Sequence, residues 1–296
     1  MRIVRDELGV VVVTYKRPEA LRKTIFEILN QGIAEAHIVV INNDPSVQLL
    51  SEEIDPTFTS LIIKNQPENI ASAGGFAIGM QAIQDLGLQW AWLFNDDSRP
   101  IDRSFESLKS ALEKVSNQKI GLVKIGNFNN RGKATLLNWK GVRVPSYVEP
   151  SDKLIETDLV TFDGCLISTR LIQEIGTCDP DYFVGTYEFD YCLRARDAGY
   201  SIFTLPNGLI EDEKAGSIGG TPPWRQYYNT RNHLYLGLQR KDLQTILAWI
   251  KRELKFSYAI IRFEDQKLLR LRLKTLATFH AILGKRGKTL DPASIK

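Results

Sequence analysis

Two adjacent carboxylates, Asp96 and Asp97, close the run Trp90-Ala91-Trp92-Leu93-Phe94-Asn95 and lead into Ser98-Arg99-Pro100. A short apolar run before an acid pair reads as a buried strand of a parallel sheet, and Pro100 is expected to end its pairing. Ligands of open α/β sheets bind just beyond the carboxyl ends of strands. Hard oxygen ligands there can hold a divalent cation against a diphosphate. The same residues would also suit an Asp-Asp-Ser turn capping a helix that starts near Asp102.

Five further clusters carry groups of that kind. Glu188 and Asp190 open a helical stretch two residues apart, an offset that places them on different faces. One can then aim at a cleft while the other pairs with Arg194, although acids also suit a helix N-terminus through its dipole. Asn42-Asn43-Asp44 follows a strand, where it can bind a base or ribose or serve as plain turn chemistry. Asn69 to Phe76 sets small residues, with Gly74 and Gly75, at a helix entrance where backbone can approach a phosphate or sugar closely. Glu211-Asp212-Glu213 precedes a glycine-rich loop, Gly216 to Gly220, and three adjacent acids repel unless a cation is near. In Trp224 to His233, tyrosines and arginines, Arg231 among them, recur at helical spacing and suit either sugar and diphosphate binding or packing.

The elements that must position these groups alternate. Strands are expected at Gly9 to Tyr15, His37 to Ile41, Leu61 to Ile63 and Trp90 onward, with helices from Pro18 to near Gly32 and from Phe76 to about Leu86. Such alternation gives right-handed βαβ units and a mostly parallel, Rossmann-like sheet flanked by helices. Beyond the acid pair come a helix over Ser104 to Val115, a strand at Gly121 to Ile125, and a hairpin near Leu137 to Val144. A strand then runs from Leu159 to Ser168, helices cover Arg170 to Ile175 and Tyr187 to Ala198, and a strand covers Tyr200 to Leu205. From Trp224 the pattern is wholly helical, which divides the chain into a catalytic domain over 1–221 and a helical region over 222–296.

A chain of 296 residues can bury a large core, and its net charge of +3 is too small to argue for a nucleic-acid partner. The three cysteines have no CxxC spacing and are expected as buried thiols of a reducing compartment. The first residues contain no apolar signal region, and no apolar run approaches the roughly 20 residues a membrane span needs. A cytoplasmic protein is expected.

Taken in order, these segments resemble the family-2 inverting glycosyltransferases of GT-A fold, and within them the bacterial galactofuranosyltransferase and rhamnosyltransferase branch. The resemblance runs from about residue 9 to 235. Its carriers are Val12 to Arg17 (family VVTYNR), Ile41-Asn42-Asn43 (VDN), Asn69 to Phe76 (NxGxAGGF), Trp92 to Pro100 (WLxDDDxxP), Tyr187 to Arg194 (DDxDxxxR), Leu205 to Asp212 (LPxxxxxH) and Trp224 to Asn232 (WxxYYxxRN). The chain departs from the pattern at Asn95, where the family has Asp, at Glu188, usually Asp, at Asp212, a His in the galactofuranosyl branch, and at Ala71, a Gly.

The resemblance implies a single-displacement transfer from a nucleotide sugar. Asp97 and Asp212, or Glu213 in place of the latter, would hold Mn²⁺ or Mg²⁺ on the donor diphosphate, with Asp96 touching ribose or sugar. Glu188 would be the general base, with Asp190 as second choice. Thr14, Tyr15, Arg17 and Asn43 would frame the nucleotide, Asn69, Gly74 and Gly75 the donor sugar, and Arg231 would join them. UDP-galactofuranose is the first donor expected, dTDP-rhamnose or another hexose donor the second. A non-catalytic scaffold subunit that merely binds nucleotide sugar, or a nucleotidyltransferase, are the other classes. The implied acceptor is a lipid-linked polysaccharide at the inner face of the cell membrane. The C-terminal region suits that place: from Lys251 to Lys288 eleven Lys and Arg stand against Glu253, Glu264 and Asp265, interleaved with apolar residues. Such helices can lie on an anionic membrane surface or pack on the catalytic domain or a second subunit.

Overall fold

The computed structural model describes residues 3–115, 118–128, 131–212 and 221–295. Strand β1 (Leu8–Thr14) is buried on both faces: Val10 and Val12 enter one core, Val11 and Val13 the other, as the two-residue period of a strand requires. Helix α1 (Pro18–Asn30) begins with proline, whose missing N–H costs nothing there. It buries Leu21, Ile25 and Ile28 and gives way to Gly32 at φ 80°. Next come β2 (Ile38–Asn42), the short α2 (Ser51–Ile54), β3 (Ile62–Asn65), α3 (Ala71–Asp85) and β4 (Trp90–Asn95). These four strands pair in parallel in the order β3-β2-β1-β4.

Helix α3 starts at Ala71, not at Phe76 as expected from sequence. Its glycines are therefore inside the helix, and Gly75 and Gly79 lie on the face that meets β1. A Cβ on Gly75 would stand 2.7 Å from Val13 Cγ1, and one on Gly79 2.2 Å from Val11 Cγ1, so glycine lets helix and strand close up.

After β4 the chain makes β5 (Ser98–Pro100), α4 (Ser104–Glu113), β6 (Ile120–Ile125), the hairpin of β7 (Ala134–Trp139) and β8 (Arg143–Val148), and β9 (Ile155–Glu156). Then follow β10 (Cys165–Ser168), α5 (Thr169–Ile175), α6 (Tyr187–Asp197), β11 (Ser201–Leu205) and β12 (Ile210–Asp212). Two expectations are corrected. Pro100 does not stop pairing: β5 pairs antiparallel with β12, Pro100 opposite Ile210, at the last position of a two-stranded ribbon where a lost donor is tolerated. The strand expected from Leu159 narrows to β10, which runs antiparallel between β4 and β6 and completes the eight-stranded order β3-β2-β1-β4-β10-β6-β11-β9. Residues 159–164 instead cross the carboxyl edge of the sheet.

The three cysteines are buried free thiols. The last region consists of α7 (Pro223–Gln239), α8 (Leu243–Phe263) and α9 (Lys267–Ile282). Tyr227 and Tyr228 of α7 pack with Phe183, Leu273 and Ala277 as a third core. Among the described residues no helix is long and apolar enough to cross a membrane.

Candidate active site

The strand register lines up a row of polar ends. Asn65 lies opposite Asn42, Asn42 opposite Thr14, and Asn95 opposite Val13. Order along the sheet reverses between β2 and β4 on either side of β1, and ligands of open α/β sheets settle at such a switch point. Asp96 sits there, 4% exposed. Its carboxylate accepts from Thr14 Oγ1 at 2.8 Å, the Tyr15 amide at 3.3 Å and Arg17 Nη1 at 3.3 Å. Burial pushes its pKa to about 6, against the pull of Thr14 and Arg17. The same Arg17 nitrogen pairs with Asp97, which is more exposed. Tyr15 stands out from this rim, 42% exposed, with Lys16 over its ring.

Asn43 is buried beside this rim. Its amide donates to the Ala71 carbonyl at 3.0 Å, while Asn43 Oδ1 has no hydrogen-bond partner. A buried acceptor without a donor is costly and asks for a ligand N–H or O–H. Asn42 is consumed by the fold, bonding Asn65 and Val47, and Asp44 closes a local turn on Ser46. Asn69 Oδ1 accepts from the Ala71 amide at 2.8 Å and sets the α3 entry. Gly74 packs on Ile70, where a Cβ would stand 2.8 Å from Ile70 Cβ.

Glu188, at the start of α6, reaches the Asn95–Asp97 turn through the segment 162–163. It is partly buried, and its Oε1 accepts from the Phe162 amide at 2.8 Å. Burial raises its pKa to about 7, helped by the negative charge of Asp163 and opposed by that amide. Asp163, which sequence reasoning missed, accepts from the Asn95 side-chain amide and lies 3.5 Å from Ser98 Oγ. Residues 162 and 163 therefore join the helix carrying Glu188 to the turn carrying Asp97. Gly164 fixes this crossing: its carbonyl takes the Trp92 indole N–H at 3.2 Å and its amide bonds the Leu93 carbonyl at 2.8 Å. The one local signal was an acid followed by glycine inside an otherwise apolar run, Leu159 to Ser168. Asp190 faces away from Glu188 and pairs with Arg194 at 2.9 Å; Arg194 also bonds the carbonyls of Ile175 and Thr177. As the two-residue offset predicts, the two acids meet different partners, Asp190 the Arg194 guanidinium and Glu188 the Phe162 amide.

Among the described residues no three His, Cys, Asp or Glu stand together as a metal set. The backbone of Asp212 pairs with Ser98, next to Asp97. Glu213 and the loop Gly216 to Gly220 lie outside the described residues. One or two carboxylates completed by substrate phosphates are how Mg²⁺ is commonly held at phosphate sites. The Arg17 guanidinium against Asp96 and Asp97 marks a concentration of negative charge that takes a cation, so the oxygen donors present fit such an ion.

Arg231 requires correction. It is 2% exposed, and its guanidinium is spent on the carbonyls of Asp181, Tyr182 and Gly287 and on Thr289 Oγ1, with Tyr228 beneath it. A donor site cannot use hydrogen bonds already committed to holding the C-terminal tail. The neighbouring Asn232 is likewise spent on the carbonyls of Tyr182 and Val184.

The family described as glycosyltransferase like family 2 matches residues 6–232. The chain is 35% identical over 266 residues to galactofuranosyltransferase GlfT1 of Mycolicibacterium smegmatis, covering 81% of this chain and 86% of that one. It is 25% identical over 303 residues to the dTDP-rhamnosyl transferase RfbF of Shigella flexneri, covering 96% and 98%. The fold matches the crystal structure of GalNAc-T7 with UDP, GalNAc and Mn²⁺ at TM-score 0.61 and 14% identity, over 94% of this chain and 54% of that one, so the chain spans about half that transferase's length. The mostly parallel sheet with flanking helices is thus the GT-A arrangement. This chain belongs to the family-2 glycosyltransferases.

Proposed function

We propose that the enzyme transfers galactofuranose from UDP-galactofuranose, with inversion, to a hydroxyl of a lipid-linked bacterial polysaccharide. The observation that carries this reading is the placement of Glu188, partly buried at the start of α6 on the Phe162 amide, one residue before the Asp163 that bonds Asn95; burial raises its pKa to about 7. A general base works best when its pKa lies near the working pH. Glu188 would take the acceptor hydroxyl proton as that oxygen attacks the anomeric carbon, while the bond from that carbon to the diphosphate oxygen breaks and UDP leaves. Tyr15 would offer its exposed ring to the base, the orphaned Asn43 Oδ1 would accept a hydrogen bond from the nucleoside, and Arg17 would meet the diphosphate. Asn69, Gly74 and Gly75 would border the donor sugar through the backbone at the α3 entry. Asp97 and Asp212 would hold Mn²⁺ or Mg²⁺, which neutralises charge on the leaving diphosphate. Asp96, already satisfied by Thr14 and Tyr15, would shape the donor side rather than bind metal.

The donor is supported by the galactofuranosyltransferase relative at 35% identity. A rhamnosyl donor is the second reading, because the rhamnosyl transferase aligns over 96% of this chain. UDP-galactofuranose and dTDP-rhamnose, each with and without Mn²⁺, separate the readings by nucleoside diphosphate release. Release from dTDP-rhamnose alone replaces the first donor with the second; metal-dependent binding without release of either makes the chain a scaffold.

The acceptor class places the work at the cytoplasmic face of the membrane, and α8 supports this. Leu243, Leu247, Ile250, Leu254, Tyr258 and Ile261 form one exposed stripe at helical spacing, with Lys251, Lys255 and Arg262 along its flank. Four of the basic residues counted in the sequence are engaged internally: Arg252 and Lys274 with Glu253, Arg270 with Asp265, and Arg286 with Asp179. Co-sedimentation with anionic vesicles at low salt tests the stripe. A variant with Leu247, Leu254 and Ile261 changed to Gln should stay in solution; loss of self-association instead of lipid binding would make the stripe an oligomer contact.

A further inference from the structure

A cavity of about 250 Å³ opens beneath the β7–β8 hairpin, at the carboxyl ends of β6 and β11. Its wall is divided by chemistry. Phe128 and Leu137 give an apolar side, whereas Lys124, Thr135, Asp163 and Thr204 give hydroxyls and opposite charges. A sugar ring is divided in the same way, with C–H groups on its faces and hydroxyls at its edge. Pockets for small polar ligands typically combine an apolar lining with a few placed polar groups.

The position matters as much as the lining. None of Thr14, Tyr15, Arg17 or Asn43, which frame the donor side, lines this cavity. Asp163 does, and it is also bonded to Asn95. Val160 and Thr161 line it too, and the next residue, Phe162, holds the Glu188 carboxylate through its amide. The cavity therefore borders the segment that holds Glu188 and shares no lining residue with the proposed nucleotide side. Lys124 is held in place by donating to the Asp163 carbonyl, and an ammonium has three donors. A volume of this size suits one sugar ring rather than a nucleotide.

We propose that this cavity is the acceptor subsite and takes the terminal sugar of the acceptor, with Lys124 and Asp163 binding its hydroxyls and Phe128 lying against its C–H face. The proposal rests on the glycosyltransferase reading above and adds to it the residues that choose the acceptor. Asp163, which accepts from the Asn95 amide, ties this cavity to the Asn95–Asp97 turn.

The test uses the full chain, UDP-galactofuranose, Mn²⁺, and the octyl glycosides of galactofuranose, rhamnose and N-acetylglucosamine as acceptor probes. Thr135→Trp fills the cavity from the hairpin, and Lys124→Met removes the ammonium while keeping its length. Each should raise the acceptor KM at least tenfold and leave the donor KM within twofold. Saturation-transfer NMR should show the accepted glycoside bound to the unaltered protein and lost from Thr135→Trp. Unchanged acceptor KM in both variants overturns the proposal, as does a donor KM that rises in step, which would put the cavity on the nucleotide side. Binding of none of the three glycosides by a protein that does release UDP also overturns it. Release of UDP from no donor at all would overturn the transferase reading itself, a result distinct from the others.

Discussion

Glu188 and Glu253 are the same residue in two different electrostatic settings. Both lie in helices, both are shielded from water, and burial pushes both toward the neutral form. Around Glu253 the fold answers with Arg252 and Lys274, each at 2.8 Å, and with Thr230 Oγ1 at 3.1 Å; its pKa ends below the ordinary value. Around Glu188 it supplies one backbone amide and, among the described residues, no ion pair, with Lys124 and Arg143 acting only at a distance, so burial, helped by the nearby acid Asp163, raises the pKa to about 7. A carboxylate surrounded by cations is locked and holds helices together. A buried carboxylate beside another acid keeps a raised pKa at a cost in stability, the setting in which functional acids and bases are commonly found.

Exchanging charge for amide at each site should separate these roles most strongly in turnover. Glu188→Gln should cut turnover by about 10² to 10⁴ with donor affinity unchanged in calorimetry, whereas Glu253→Gln should leave turnover per folded molecule intact. Loss of turnover in Asp190→Asn but not in Glu188→Gln would move the base to Asp190. Stability should show the reverse order. Glu253→Gln strands two buried cations and should cost about 3 kcal/mol or more in urea unfolding. Asp97→Ala should weaken donor binding about tenfold or more with Mn²⁺ present, by analogy with a lost charged contact, and leave the unfolding midpoint alone; unchanged affinity would remove Asp97 from the metal.

The smallest effects lie in pH. With Glu188 as the proposed base, the ionised form is the active one and kcat/KM should rise with pH through about 7. Asp163→Asn removes a negative charge that favours the protonated form, so this limb should move to lower pH; a limb that stays put would uncouple the two acids. The stability profiles should have opposite signs. A carboxyl whose pKa is raised from 4.5 to about 7 costs stability as pH climbs through that interval. Glu188→Gln should therefore melt a few degrees above the unaltered protein at pH 8 and level with it near pH 4. Glu253, with its pKa lowered, stabilises above the ordinary carboxylate range and loses that contribution in acid.

Much of this contrast was legible in the sequence wherever it depended on neighbours along the chain. Apolar runs ending at Thr14, Asn42 and Asn95 gave the strands and their polar rim, and the offsets among Glu188, Asp190 and Arg194 separated the poised acid from the paired one. What was hidden depended on partners far away. Pro100 looked like a terminator because its partner, Ile210, is 110 positions later. Asp163 carried no recognisable spacing to Asn95, and β10 gave no sign of its antiparallel direction. Arg231 has the chemistry of a phosphate ligand, and only the carbonyls around it show that the fold uses it first.

That last arrangement bears on the order in which the molecule is made. Arg231 ties Gly287 and Thr289 to the carbonyls of Asp181 and Tyr182, and the Gly287 amide bonds Asp181 as well, just before the turn that launches α6. During synthesis the segment approaching Glu188 exists long before residues 287 and 289 have been added. The approach to α6 thus gains these partners only after residues 287 and 289 have been added, so a ribosome-bound chain halted before Gly287 would carry every proposed reacting group without this clasp ahead of the helix.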